Sequence, residues 1–149
     1  MAVAAARRLV VVAALLFALA VPVSTALAAD KAQLIATEEA GFGRLIMSFP
    51  GRLDLPEYEV RYDNNVLAIE FAEPISIPLP DISSAMPGYA TIARTDPDNR
   101  GIRIGLRNAV TVNRMEAGEQ LYIDLLPTGW QGLPPSLPEA VVAELADRA

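Results

Sequence analysis

With 149 residues, no cysteine and no histidine, the chain has room for one domain, which must be held together by an apolar core alone. The missing cysteine excludes a disulfide framework, a lipoprotein attachment site and thiolate metal ligands; the missing histidine removes the commonest general base and neutral metal ligand. A net charge of −6 argues against nucleic acid as a partner, because phosphate affinity needs a basic excess on the binding face.

The first residues follow an export pattern. Arg7 and Arg8 precede an apolar stretch from Leu9 to Val21, Pro22 breaks it, and Ala26-Leu27-Ala28 is a small-x-small cleavage site. The stretch is shorter than the ~20 residues a membrane span requires. Residues 1–28 therefore read as a signal peptide, cleaved after Ala28, with the mature chain starting at Ala29 and the periplasm as destination. Ala6-Arg7-Arg8-Leu9 lacks the polar residue expected before a twin-arginine pair, so the general secretory route is expected. Membrane contact is expected only through this segment before cleavage. Its removal leaves 10 basic residues against 18 acidic ones, a net of −8.

From about Gln33 to Leu126 the chain alternates apolar and polar residues in short runs separated by Gly, Pro, Asn and Asp, the pattern of antiparallel strands with one buried face. Residues 33–38 and 44–49 flank Glu39-Ala40-Gly41, with Leu45, Met47 and Phe49 as the buried set. In residues 57–62, Tyr58, Val60 and Tyr62 share one face and Glu57, Glu59 and Arg61 the other. A register slip there would expose three apolar side chains at about 2 kcal/mol each. Asp63-Asn64-Asn65 suits a tight hairpin into residues 66–71, where Leu67, Ile69 and Phe71 alternate. In residues 75–79, Ile75, Ile77 and Leu79 alternate, but Pro74, Pro78 and Pro80 allow only an edge strand.

Residues 81–86 predict one helical turn starting near Asp81 and ended by Pro87-Gly88. Four more strands follow at 89–94, 101–107, 110–115 and 120–126. Eight or nine short strands are too many for one small sheet with a single covered face, so the expected fold is all-β, a two-layer antiparallel β-sandwich over residues 29–127. Val60-Arg61-Tyr62 followed by Ile69-Glu70-Phe71 is echoed by Val112-Asn113-Arg114 followed by Ile123-Asp124-Leu125, which suggests two similar halves, one per sheet. Residues 128–136 form a Gly/Pro linker that carries the only tryptophan, Trp130, expected to plug the end of the sandwich. Ser136-Leu137-Pro138-Glu139 has capping-box spacing and predicts a short helix over 137–149, with Leu137, Val141 and Leu145 as its apolar stripe.

No catalytic constellation, cofactor site or metal site is legible. Asp96-Pro97-Asp98-Asn99-Arg100-Gly101 superficially resembles a calcium loop, but Arg100 occupies a ligand position and Arg107 stands where the closing Glu belongs, so a hairpin turn is expected. Glu57/Glu59 and Glu70/Glu73 alternate with buried partners and read as a solvated face rather than a glycosidase pair. Arg103 and Arg107 point outward from one strand, with Arg94 and Arg114 on its sequence neighbours. Two readings of these cations stand: a strip that holds the carboxylates of peptidoglycan stem peptides or of an acidic partner, and the more ordinary cross-strand pairing with Glu116, Glu119 and Asp124. Tyr122 also falls on an outward position, where an exposed ring would stack on a sugar.

The strand order, the internal echo, Gly43-Arg44-Leu45-Ile46-Met47-Ser48-Phe49 and Leu121-Tyr122-Ile123-Asp124-Leu125-Leu126 together resemble the AMIN domain of bacterial envelope proteins, over roughly residues 33–127. That resemblance implies a periplasmic β-sandwich that targets its host to peptidoglycan and has no catalytic residues of its own. The segment from Asp124 to Pro135 also resembles the junction in exported alphaproteobacterial proteins that continue into tetratricopeptide repeats, although no ~34-residue repeat occurs in this chain. The expected function is a non-catalytic envelope-binding module for peptidoglycan or a periplasmic protein; the alternative is the protein-interaction domain of a tetratricopeptide-repeat scaffold.

Overall fold

The computed structural model describes residues 30–149; the expected signal peptide, its cleavage after Ala28 and the start at Ala29 lie outside these residues. In chain order the described residues form β1 (Asp30–Lys31), β2 (Gln33–Glu38), β3 (Gly43–Ser48), β4 (Tyr58–Asp63), β5 (Val66–Phe71), β6 (Ile75–Ser76), α1 (Ile82–Ala85), β7 (Ala90–Thr95), β8 (Gly101–Leu106), β9 (Val110–Ala117), β10 (Gln120–Pro127) and α2 (Glu139–Arg148). The fold is the all-β sandwich read from the alternation, with a short helix at its C-terminal end.

Local chemistry explains the hairpins. Asn64 and Asn65 both adopt positive φ, 50° and 58°, and their side chains tolerate this left-handed backbone. Asp63 therefore sits directly opposite Val66 and sets the whole β4–β5 register. Gly118, at φ 59°, does the same for β9 and β10, where Ala117 faces Gln120.

One four-stranded sheet has the order β2-β3-β10-β9 and the other β4-β5-β8-β7, with every neighbouring pair antiparallel. The first and last hairpins thus make one sheet, and the two middle hairpins make the other. The echoing hairpins β4–β5 and β9–β10 do lie in opposite sheets. The sheets are nested along the chain, however, rather than being its two halves. Between them lie Leu45, Met47, Leu121 and Ile123 from one side and Leu67, Ile69, Ile102 and Ile104 from the other, each at most 1% exposed. Such side chains contribute about 1.5–3 kcal/mol apiece on burial.

The flanks of the sandwich are closed differently. On one flank, edge strands β4 and β9 are stitched by side chains: the Tyr58 hydroxyl bonds the Glu116 carboxylate, and the Tyr62 hydroxyl accepts from the Val110 amide at 3.2 Å. Burial and the Glu116 contact push the Tyr58 phenol up to about 12. On the other flank, α1 lies against β2 and β7, and buries Ile82. Asp81 starts this turn as expected, accepting from the Ser83 and Ser84 hydroxyls at 2.9 and 2.7 Å. Those bonds hold its carboxyl below the usual range.

Two expectations change in detail. The run 75–79 yields only β6, which pairs in parallel with β1; Pro78 and Pro80 remove the donors that a longer strand would need. The C-terminal helix begins at Glu139 behind an N-cap at Pro138, and Ser136 makes no side-chain cap. Its carbonyl is used elsewhere, and that use defines one face of the molecule.

Candidate functional site

Each sheet has an outer face, and the two are treated in opposite ways. On the outer face of β2-β3-β10-β9, Arg44 and Asp124 are directly opposed across β3 and β10. They form a bidentate pair, Nε to Oδ1 at 2.7 Å and Nη2 to Oδ2 at 2.9 Å. The same Nη2 donates to the Ser136 carbonyl at 3.0 Å, which ties the linker across the sheet. The guanidinium carbon stands 5.1 Å from the Phe42 ring centre and 5.5 Å from that of Tyr122. Asp124 is 0% exposed and Arg44 6%. The Asp124 hydrogen bond raises the Arg44 pKa against the opposing pull of burial.

This arrangement corrects the expected role of Tyr122. Its position does face out from the sheet, but the residue is 2% exposed: Arg44, which ties the linker segment across this face, stands over its ring, and its hydroxyl donates to Gln120 at 3.0 Å. No sugar reaches that ring while the segment is in place. Trp130 is only half-buried, stands edge-on to Phe42 at 5.7 Å, and donates Nε1–H to the Leu133 carbonyl at 3.1 Å. It packs on the β2–β3 turn, against Phe42 and Gly41.

The outer face of β4-β5-β8-β7 carries no such cover among the described residues. Arg61 on β4 and Arg103 on β8 both oppose Ala68 on β5. Because Ala68 is small, a shallow depression opens there, lined also by Asp63 and Val66. Glu70 takes a hydrogen bond from each arginine, the one from Arg103 at 3.1 Å, and Asp96 accepts from Arg103 Nε at 3.0 Å. Arg94 faces Arg103 directly across β7 and β8, and makes no ion pair among the described residues. Val66 and Ile92 are exposed beside them.

Of the four candidate residues, the fold therefore unites Arg94 and Arg103 on one open face and separates the others. Arg107 lies just past β8 with its Nε donating to the Pro87 carbonyl, and Tyr122 is on the far sheet. Arg114 is likewise on the other sheet, over the Tyr58 ring. Nor is the open face a purely cationic strip, since Glu59, Asp63, Glu70 and Asp96 are interleaved with its three arginines. The carboxylates that pair with Arg103 are Glu70 and Asp96; Glu116, Glu119 and Asp124 bind Tyr58, Arg148 and Arg44 instead. Asp98 accepts from the Arg100 amide at 3.0 Å and Asp96 from the Arg103 side chain, so both carboxylates of the 96–101 loop are engaged within its own hairpin. Sequence reasoning missed the Arg44–Asp124 pair. Its only local trace is a charge at an outward position of each of two strongly apolar strands.

The Glu70 carboxyl is held below its ordinary 4.5, first by the Arg61 hydrogen bond and to a smaller extent by Arg103. A depressed carboxylate contributes stability that is present above its unfolded value and lost as pH falls through the folded one. In a carbon-13 NMR titration, Arg61→Ala should return Glu70 toward the ordinary value by more than Arg103→Ala does. A larger movement in the Arg103 variant would show that the two arginines have been ranked wrongly.

No protein-family model matches this chain, and neither a curated protein nor a solved structure matches it. The resemblance to the AMIN domain accordingly rests on the residue patterns alone.

Proposed function

We propose that this protein is a non-catalytic binding module of the bacterial envelope that holds peptidoglycan on the open face of the β4-β5-β8-β7 sheet. The observation that carries the reading is the asymmetry of the two outer faces. One is covered by the chain's own linker and helix; the other presents a depression between Arg61 and Arg103, with Arg94, which makes no ion pair among the described residues, at its margin. A stem-peptide carboxylate entering there meets Arg94 as a planar two-donor fork, and the exposed Val66 and Ile92 supply apolar contact. The ligand class comes from the export pattern and the AMIN resemblance. The absence of histidine and cysteine, and the pairing of Glu70 and Asp96 with arginine, favour binding over chemistry.

The test is retention of residues 29–149 on purified sacculi at low ionic strength. Retention should fall as salt is raised, because exposed charges beyond ~10 Å are screened at 0.1 M. Arg94→Ala combined with Arg103→Ala should weaken it by roughly tenfold, the loss of about 1.4 kcal/mol of charge-assisted bonding. Absence of retention, or retention indifferent to the double substitution, would overturn this assignment.

A further inference from the structure

The cover on the β2-β3-β10-β9 sheet is fastened unevenly. Its linker is pinned by the Arg44 bond to the Ser136 carbonyl and by Trp130 against Phe42. Beyond Ser136 the hold is slight: not one residue of α2 is buried, although Val141 and Leu145 turn toward the sheet. Between α2 and the β9–β10 hairpin runs a crevice of about 140 Å³, lined by Ala117, Gln120, Val141, Glu144, Leu145 and Arg148. Close-packed elements leave no such space. The firmest tie is Arg148 Nη1 to Glu119 Oε2 at 2.9 Å, an exposed pair of the kind that adds little to stability. A ten-residue helix is marginal in water without a packed face.

The surface beneath nevertheless matches a helix. Ala117, 4% exposed, lies at the crevice with Val141 and Leu145, and Glu119 meets a cation at the helix C-terminus, the end where the helix dipole favours positive charge. We propose that this face is a helix-accepting surface which α2 occupies in cis, and that a partner's amphipathic helix displaces it there. The partner helix is defined by what α2 presents: apolar residues at the spacing of Val141 and Leu145, and a basic residue in its last turn. This is the helix-in-groove mode of recognition, with the intramolecular helix as competitor. It uses the opposite sheet from the peptidoglycan site and does not depend on it.

A fluorescent peptide of residues 134–149 serves as the partner helix. It should bind the chain carrying Leu145→Asp, whose own helix is loosened, at least about tenfold more tightly than the unaltered chain, since only in the variant is the cis competitor weakened. A peptide with Arg148→Glu should bind the same variant about tenfold less well. Hydrogen exchange on the unaltered chain provides a measurement that needs no substitution: α2 amides should exchange far faster than those of Tyr122 and Ile123. Sacculus retention should be the same for Leu145→Asp and the unaltered chain. Peptide binding to neither chain, equal binding to both, or α2 amides as protected as those of β10 would each overturn the proposal.

Discussion

Asp124→Ala should lower the unfolding free energy by about 3–5 kcal/mol, because it strands a guanidinium that is otherwise out of water. In the intact protein, Arg44 spends its Nε and Nη2 on Asp124, and only the Ser136 carbonyl and the faces of Phe42 and Tyr122 remain when that carboxylate is gone. For a domain of this size, that loss corresponds to a fall of roughly 10–20 °C in the thermal midpoint, measured by circular dichroism. Asp124→Asn should fall between, since the amide keeps one acceptor for Nε or Nη2 but gives up the charge. The double substitution Arg44→Met with Asp124→Leu should recover most of the loss. An apolar pair fills the same space without the cost of desolvating ions, so the single-residue penalty measures an abandoned charge rather than the net value of the bridge. A loss under about 1 kcal/mol for Asp124→Ala would mean that water reaches Arg44, and that the linker does not seal this face.

Phe49→Ala should cost about 3–5 kcal/mol, the range for deleting a fully enclosed aromatic ring. Phe49 follows β3, is 1% exposed, and meets Phe71 of the other sheet edge-on at 5.7 Å and 69°. Its amide donates to the Glu119 carbonyl at 3.0 Å, a bond which alanine keeps, so the effect isolates the ring. In urea titrations the midpoint should drop with little change in slope, as the variant still unfolds from the same compact sandwich. A double-mutant cycle with Phe71→Leu should return a coupling of about 0.5–1.5 kcal/mol if the edge-on contact matters beyond buried area. A slope that falls together with the midpoint would instead indicate that the two sheets have begun to separate in the native state.

These two sites mark the line between what was legible in the sequence and what was not. Phe49 could be placed in the core from its alternation with Leu45 and Met47, because a strand sends successive side chains to opposite faces and one face must be dry. Asn64-Asn65 announced a hairpin through the backbone those residues tolerate, and the outward position of Arg103 followed from the same parity. Local chemistry therefore determined the eight strands of the two sheets and most turns, to within a position or two at the ends, whereas β1 was not read and the 75–79 run gave only β6.

Which strands meet was a tertiary matter. The pairing of β3 with β10 joins residues some 80 positions apart in the chain, and no local pattern encodes it; Arg44 and Asp124 became partners only through that pairing. Coverage of the outward faces was equally non-local. Period-2 alternation assigns Tyr122 and Arg103 alike to outward positions, yet a returning segment buries the first and leaves the second open. The alternation reports only whether a side chain points toward the facing sheet, and a sheet has a second side that any other part of the same chain is free to occupy. The amino-acid sequence by itself determined a sandwich and its inner surfaces. Tertiary structure alone decided which outer surface is available, because that depends on where a tethered segment finds charge and apolar area to match its own.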